Sequence, residues 1–323
     1  MISVSALSRR FGDLTALQNV SFSVAAGEIV GFLGPNGAGK TTGMRILTCT
    51  LPPSEGCAAV AGHDVVAEPM AVRRRVGFMP ENVPLYPDCT VEEHLRLVAR
   101  LKDVSARSLT GQLQSALSRA GLADVRRRLV GHLSKGYRQR VGLAQALIGD
   151  PPVLILDEPS VGLDPQQIVE IRELIRSFAG EKTVLLSSHI LNEVSLICGR
   201  VLILDRGRLV GEADPRRLQG AREGRTLVTL AWDGPRAPVH EAIGRVPGVA
   251  EVATTPDGAE VALSADPSTV RPALAAAVIA AGGRLQRLED QAATLEDLFL
   301  RLTGGAVARA PAPADVGERG KTS

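Results

Sequence analysis

The clearest pattern along the chain is a set of short apolar runs, each next to a segment with helical spacing. These runs cover residues 28–33, 153–156, 183–186 and 201–204. Nearly continuous apolar runs of four to six residues are typical of strands that are buried on both faces of a parallel sheet. The alternation of such strands with helical segments predicts an α/β fold in which helices cover both faces of the sheet.

Two further segments do not fit the parallel sheet. Residues 2–24 alternate polar and apolar positions around the turn Gly12-Asp13, which predicts an antiparallel β subdomain at the N-terminus. Residues 91–146 have helical spacing almost throughout. We therefore expect a helical insertion over about residues 88–146.

A change of pattern follows Asp214-Pro215. The polar stretch 215–225 is interpreted as a linker between a domain at 1–214 and a smaller one at 226–303. The smaller domain has a βαββαβ order, which predicts an α+β domain of the ferredoxin-like kind. Its predicted strands are 226–231, 249–254, 259–263 and 284–288, and its helices are 239–246 and 269–281. A last helix is expected at 294–302, and the aperiodic residues 304–323 are predicted to be a disordered tail.

Composition and charge narrow the class of protein. The chain has 323 residues, 45% of them hydrophobic, and a net charge of +2. This near-neutral balance gives no electrostatic reason to expect a nucleic-acid partner. The cysteines form no C-x-x-C pair, which favours reduced thiols in the cytosol. No apolar signal core is visible near the start, and the longest apolar stretch, 273–281, is shorter than the roughly 20 residues needed to span a bilayer.

The strongest candidate for chemistry is a glycine-rich loop between the first apolar run and a helical segment at 42–47. It satisfies the pattern G-x-x-x-x-G-K-[ST]. Backbone N–H groups of such a loop bind phosphate, Lys40 supplies a charge for the β and γ phosphates, and Thr41 can ligate Mg²⁺. A turn without a ligand is the alternative, but the Lys-Thr pair and the flanks favour a nucleotide site. Its residues are Gly34, Pro35, Asn36, Gly37, Ala38, Gly39, Lys40, Thr41 and Thr42.

Two other segments carry polar groups at the end of a strand or the start of a helix. Asp157 and Glu158 follow the run 153–156 directly, at the strand end where ligands of open α/β sheets collect. The segment 133–140 reads Leu-Ser-Lys-Gly-Tyr-Arg-Gln-Arg and leads into a helical pattern. A serine hydroxyl and a glycine N–H at a helix start can bind an anion. Taken alone, an ordinary helix cap with a basic first turn would explain this segment better.

Together these motifs, in this order, resemble those of the ATP-binding cassette (ABC) proteins. The segment 133–140 is similar to the LSGGQ-type signature of that family through Ser134, Gly136 and Gln139. Lys135 replaces the first of its two glycines, and Tyr137-Arg138 precede the glutamine.

The resemblance assigns roles to residues of the second half of the domain. It implies that Asp157 lies on the Mg²⁺ side of the site and that Glu158 is the general base. His189, after the next strand, would contact the γ-phosphate. Asp164 lies in the segment 160–164, which resembles the loop through which two such domains touch.

Two more positions follow from the same resemblance. Glu81 stands where the family usually has a glutamine, so it would approach Mg²⁺ as an anion. Phe11 stands where relatives stack an aromatic ring on adenine, although the same residue equally suits a core contact at a strand end.

The resemblance implies a P-loop NTPase core that uses ATP and Mg²⁺ and acts as a head-to-tail homodimer. ATP bound at residues 34–42 of one copy would be covered by Ser134, Gly136 and Gln139 of the other. Residues 294–304 resemble the closing helix of a branch that serves export. We therefore expect a cytoplasmic ATPase subunit, peripheral on the inner face of the membrane through a separate integral membrane permease.

Two other functions stay open at the level of the sequence. One is a soluble ABC ATPase that acts on ribosomes or DNA. The other is a nucleotide sensor with little turnover, which Lys135 and Glu81 would explain.

Overall fold

The N-terminal part of the protein is an antiparallel sheet, seen in a computed structural model that describes residues 1–215, 226–291 and 299. Its strands have the order β2-β1-β4-β5, and β1 pairs antiparallel with β2 and with β4. The predicted alternation therefore identified β1 and β2 correctly, whereas β4 and β5 were not predicted. The strands are β1 (Ile2–Phe11), β2 (Leu14–Val24), β4 (Glu55–Val60) and β5 (His63–Asp64).

A six-stranded sheet forms the centre of the domain, in the order β10-β9-β3-β8-β7-β6. Its strands from β9 to β6 are parallel, and β10 is an antiparallel edge strand. All residues of β7 are buried, but they alternate between two hydrophobic clusters, one on each face of the sheet. This confirms the predicted α/β core. The strands are β3 (Ile29–Leu33), β6 (Val76–Met79), β7 (Val153–Leu156), β8 (Thr183–Ser188), β9 (Arg200–Asp205) and β10 (Arg208–Ala213).

Helices cover both faces of this sheet. Those that connect its strands are α1 (Lys40–Leu47), α2 (Pro69–Arg75), α6 (Pro165–Arg176) and α7 (Leu191–Ile197). The predicted helical insertion contains α3 (Val91–Leu101), α4 (Ala106–Arg119) and α5 (Lys135–Leu147), which pack against one face of the sheet. Their N-caps, Thr90, Ser105 and Ser134, each accept a hydrogen bond from a backbone N–H of the first turn. Two 3-10 turns separate α4 from α5, so the insertion is not continuously helical.

The C-terminal strands form a separate antiparallel sheet in the order β12-β13-β11-β14. Two helices pack on it around a hydrophobic cluster of its own. The predicted βαββαβ order is confirmed. The elements are β11 (Thr226–Asp233), α8 (Arg236–Gly244), β12 (Val249–Thr255), β13 (Gly258–Leu263), α9 (Pro267–Ala280) and β14 (Arg284–Gln291).

Several predictions for the end of the chain fall outside the described residues. They are the linker at 215–225 beyond its first residue, the disordered tail at 304–323, and the helix at 294–302 except for Phe299. Phe299 itself is buried in the hydrophobic cluster on the face of the parallel sheet that carries the helical insertion. The division into domains at 1–214 and 226–303 stays a prediction.

Candidate nucleotide site

The glycine-rich loop lies between β3 and α1, as predicted, and close packing requires two of its glycines, Gly34 and Gly39. Gly39 is the N-cap of α1 with a φ of 104°, and a Cβ at this position would lie 2.5 Å from the carbonyl oxygen of Ala16. A Cβ on Gly34 would lie 2.5 Å from the carbonyl oxygen of Leu204. No side chain caps α1. Its first N–H groups are thus left for an anion, which the positive end of the helix also favours.

Lys40 is the first residue of α1 and is only 6% exposed. Its Nζ donates a hydrogen bond of 2.7 Å to the carbonyl oxygen of Gly34 and lies 3.4 Å from Oε1 of Glu158. A buried ammonium group is tolerated only where such partners compensate for the lost hydration. The lysine is therefore held at the base of the loop by the same carboxylate that follows β7.

Ser187, on β8, organises the two carboxylates at the end of the neighbouring strand β7. Its Oγ donates to Oδ1 of Asp157 at 2.6 Å and accepts from the backbone N–H of Glu158 at 2.9 Å. Glu158 has a φ of 49°, in the left-handed region that a glutamate rarely adopts. On the far side of the carboxylate, Oε2 lies 2.9 Å from Nδ1 of His189. The carboxylate of Glu158 is thus fixed between Lys40 and His189.

A cavity of about 790 Å³ opens in front of this network. It collects most of the residues predicted from the sequence: Phe11, Pro35, Asn36, Gly37, Ala38, Gly39, Lys40, Thr41, Thr42, Glu81, Glu158 and His189. Gly34 and Asp157 are buried just behind its wall. Phe11 is 44% exposed, and the guanidinium carbon of Arg9 lies 4.6 Å from the centre of its ring. Phe11 is therefore a rim residue and not a core contact.

The predicted signature residues do not line this cavity. Ser134 caps α5, and its hydroxyl accepts from the backbone N–H of Tyr137 at 3.4 Å. Gly136 packs so closely on Gln167 that a Cβ would lie 2.4 Å from its Oε1. Gly136 and Gln139 are buried, and the exposed residues of this helix start are Ser134, Lys135, Tyr137 and Arg138.

Asp164 also lies outside the cavity lining and is exposed at the start of α6. Its Oδ1 accepts from the backbone N–H of Gln167 at 2.9 Å, so it acts as the N-cap of that helix. Because Gln167 also contacts Gly136, the starts of α5 and α6 form one continuous surface.

Sequence reasoning missed two residues of the site. Ser187 binds the carboxylate of Asp157 and the backbone N–H of Glu158, and the only sequence signal for it is its place two positions before His189. Arg206 lines the cavity from the turn between β9 and β10, where no motif marks it.

The residues present fit Mg²⁺ that arrives with a nucleotide. Thr41 and Glu81 line the cavity, and the carboxylate of Asp157 lies just behind it. These are oxygen ligands of the kind that Mg²⁺ prefers. Over residues 1–215, 226–291 and 299, no group of three or more His, Cys, Asp or Glu side chains could hold a metal by itself. Mg²⁺ usually relies on one or two carboxylates together with phosphates and water.

No helix within the described part of the chain is long and apolar enough to cross a membrane.

Comparison with known proteins shows to which family this chain belongs. The family model described as "ABC transporter" matches residues 17–161. A daunorubicin resistance ATP-binding protein of Streptomyces coeruleorubidus is 36% identical over 307 residues, which are 94% of this chain and 96% of the relative. A Nod factor export ATP-binding protein of Burkholderia lata is 35% identical over 92% of this chain and 95% of its own length.

Solved structures agree with these relatives. The ATP-binding subunit of an ABC transporter is 31% identical and superimposes with a TM-score of 0.62 over 68% of this chain and 92% of its own length. A dimeric ATP-binding cassette in a post-hydrolysis state, bound to ADP and phosphate, is 27% identical with a TM-score of 0.61, over 66% of this chain and 98% of its own. The chain therefore belongs to the family of ABC transporter ATP-binding subunits and is an ABC ATPase.

Proposed function

We propose that this chain is the energising subunit of an ABC exporter, which binds and hydrolyses Mg²⁺-ATP in a head-to-tail homodimer. The observation that carries the proposal is the carboxylate of Glu158, fixed between Lys40 and His189 at the base of a cavity large enough for a nucleotide. Export is supported by two relatives, which are a daunorubicin resistance ATP-binding protein and a Nod factor export ATP-binding protein.

ATP would lie in the cavity with its phosphates at the start of α1. The backbone N–H groups of the loop and the ammonium group of Lys40 would bind the β and γ phosphates. Arg9 covers one face of the Phe11 ring, so adenine would stack on the other. Thr41, Asp157 and Glu81 would hold Mg²⁺, which would neutralise charge on the same phosphates.

Glu158 is the residue placed to act as the general base. Its carboxylate is buried, faces the cavity and is oriented by Lys40 on one oxygen and His189 on the other. A carboxylate held in this way can accept a proton from the attacking water once the γ-phosphate lies beside it. His189 is 43% exposed in its side chain, so it can also reach the γ-phosphate from the open side of the cavity.

A homodimer would complete the site. The start of α5, with Ser134 and Gly136, offers a helix N-terminus on a surface that does not line its own cavity. In a head-to-tail pair this surface of one copy would cover the nucleotide of the other. The dimeric structural relative bound to ADP and phosphate supports such an arrangement.

Coupling to a membrane protein would run through the helical insertion. Glu81 lines the cavity, and the chain leads from it directly into α3, which begins at Val91. A change at the γ-phosphate can therefore be passed to the surface of α3. We place a separate permease on this surface, so that the ATPase is peripheral on the inner face of the membrane.

Replacing Glu158 by Gln tests the catalytic half of the proposal. We expect ATP to bind still, turnover to fall by about 10³ or more, and an ATP-bound dimer to accumulate on gel filtration. Glu173→Gln, on the exposed face of α6, is the matched control and should behave like the parent chain. A Glu158→Gln chain that stays monomeric with normal turnover would contradict the proposal.

The transport half needs the membrane partner. We expect the tagged chain to co-purify with a polytopic membrane protein, and its ATPase activity to rise in the reconstituted complex when the exported compound is added. Loss of transport in vesicles with the Glu158→Gln chain, at equal assembly, would link the two halves. A chain that purifies with ribosomes or DNA instead would refute the export role.

A further inference from the structure

One buried carboxylate near the proposed general base is not used in the mechanism proposed above. Glu193, in the first turn of α7, is 9% exposed and does not line the nucleotide cavity. Its Oε2 accepts a hydrogen bond from Oγ of Ser160. Both residues border a small pocket that Ile171, Ile175 and Arg172 of α6 also line. Because the carboxylate of Glu193 is largely buried, this charge-assisted bond is costly to leave unmade.

The bond joins the two segments that carry the catalytic residues. Ser160 is two residues beyond Glu158, inside a turn in which the N–H of Val161 donates to the carbonyl oxygen of Glu158 at 3.2 Å. Glu193 lies on the helix that begins two residues after His189. The Ser160–Glu193 bond therefore ties the turn of the proposed base to the segment of the histidine that contacts it, across 33 residues of sequence.

The backbone of Glu158 needs such restraints. Its φ of 49° is sparsely populated for a glutamate and persists only where the surroundings hold it. On the N-terminal side, its N–H is bound by Oγ of Ser187 at 2.9 Å. On the C-terminal side, the turn to Val161 and the bond from Ser160 to Glu193 hold the chain. Without the last bond, the turn can relax and the carboxylate can move away from His189.

We propose that Glu193, acting through Ser160, is a positioning residue for the hydrolysis of ATP, because it holds the turn that presents Glu158. This inference rests on the proposed function of Glu158 as the general base. The phosphate loop and Lys40 are not part of the bond, so the effect falls on turnover and not on nucleotide affinity.

The test compares three variants in the purified full-length chain. Ser160→Ala removes the donor, Ser160→Thr keeps a hydroxyl, and Glu193→Gln keeps an acceptor without the charge. We expect Ser160→Ala to lower kcat by about 10², as small displacements of a catalytic group do, and to change KM for ATP by less than about twofold. Ser160→Thr should restore kcat to within about threefold of the parent. Glu173→Ala, on exposed α6 surface, is the control.

Testing Ser160→Ala in the Glu158→Gln chain distinguishes a positioning role from a general loss of structure. If Ser160 acts through Glu158, Ser160→Ala should have no further effect on the residual single-turnover rate of Glu158→Gln. An unchanged kcat in Ser160→Ala, a rise of KM in step with the loss of kcat, or an equal loss in both backgrounds would each overturn the inference. Glu193→Ala, which removes the acceptor, supplies the same comparison if Ser160→Ala does not fold.

The two proposals fail in different ways. If Glu158→Gln hydrolyses ATP normally, the proposed base is wrong and the inference falls with it. If Glu158→Gln loses turnover but Ser160→Ala keeps it, the proposed function stands and only the positioning role of Glu193 is refuted.

Discussion

Replacing Lys40 by Ala tests two roles of its buried ammonium group, one in binding phosphate and one in stabilising the fold. The ammonium group is the natural partner of the nucleotide phosphates, and it also compensates the carboxylate of Glu158 at 3.4 Å, with both side chains less than a tenth exposed. Hydrogen bonds to charged groups contribute about 1.5 to 3 kcal/mol each. Losing two of them should raise the Kd for ATP by about 10² or more.

The same substitution should destabilise the protein through Glu158. Removing one partner of a buried ion pair costs about 3 to 5 kcal/mol, because the remaining charge is left uncompensated. Here His189 contacts the other oxygen of the carboxylate and is 43% exposed. We therefore expect a smaller loss, about 2 to 3 kcal/mol in the free energy of unfolding.

A double substitution distinguishes the two effects. In Lys40→Ala with Glu158→Gln, position 158 no longer carries a buried charge that Lys40 must compensate, so most of the lost stability should return while ATP binding stays weak. Urea unfolding and titration with ATP by calorimetry, both at fixed ionic strength, measure the two quantities. Unchanged ATP affinity in Lys40→Ala would refute the phosphate role. Equal instability of the single and double variants would refute the ion-pair argument.

Three further predictions concern the rim of the cavity and two basic residues of the helical insertion. Phe11→Ala should weaken ATP binding by about 5- to 150-fold, in line with the 1 to 3 kcal/mol of base stacking, whereas affinity for inorganic triphosphate should stay unchanged in a competition assay. Burial lowers the pKa of Lys102 to about 8, so between pH 8 and its unfolded value near 10.4 the unfolded chain binds more protons. From pH 7 to 9.5, the free energy of unfolding of the parent chain should therefore rise by about 1 to 2 kcal/mol more than that of Lys102→Met. An equal pH dependence of the two chains would contradict this prediction. Arg119 forms two hydrogen bonds of 2.8 and 2.9 Å with Glu181 and lies over the Phe178 ring. Arg119→Ala should therefore lower the free energy of unfolding in urea by about 1 to 2 kcal/mol. The control Arg176→Ala, at an exposed position, should lower it by less than about 0.5 kcal/mol.

Local sequence patterns were enough to predict strands of the central sheet. Strands β3, β7 and β8 are continuous apolar runs because both of their faces are covered, and this leaves a signal in the sequence itself. Strand β4 gives no such signal. It reads Glu-Gly-Cys-Ala-Ala-Val, with exposed residues in its first half, and it is a strand because β1 offers it an edge. Pairing with a distant strand overrides a weak local preference.

The candidate site likewise has one part that local sequence patterns predict and another part that they do not. The loop at 34–42 was predictable because its glycines and lysine are adjacent in sequence and each has a direct role. The contacts that orient Glu158 were not predictable in this way, since Ser187 and Glu193 lie 29 or more residues from their partners. No spacing rule connects residues that meet only because β7 and β8 are neighbours in the sheet.

The sequence motifs nevertheless divide into two groups that a single copy of the fold keeps apart. The residues around Lys40, Glu158 and His189 satisfy one another within one cavity, so their geometry is complete in one chain. At the start of α5, the exposed Lys135 forms no ion pair within the described residues, and the helix has no acidic residue in its first turn. A helix N-terminus with an unpaired cation beside it favours an anion. The cavity in the same chain does not reach this surface. The nucleotide of a second copy is an anion that the proposed head-to-tail dimer would bring there, and in that dimer the two groups of motifs would act in one reaction.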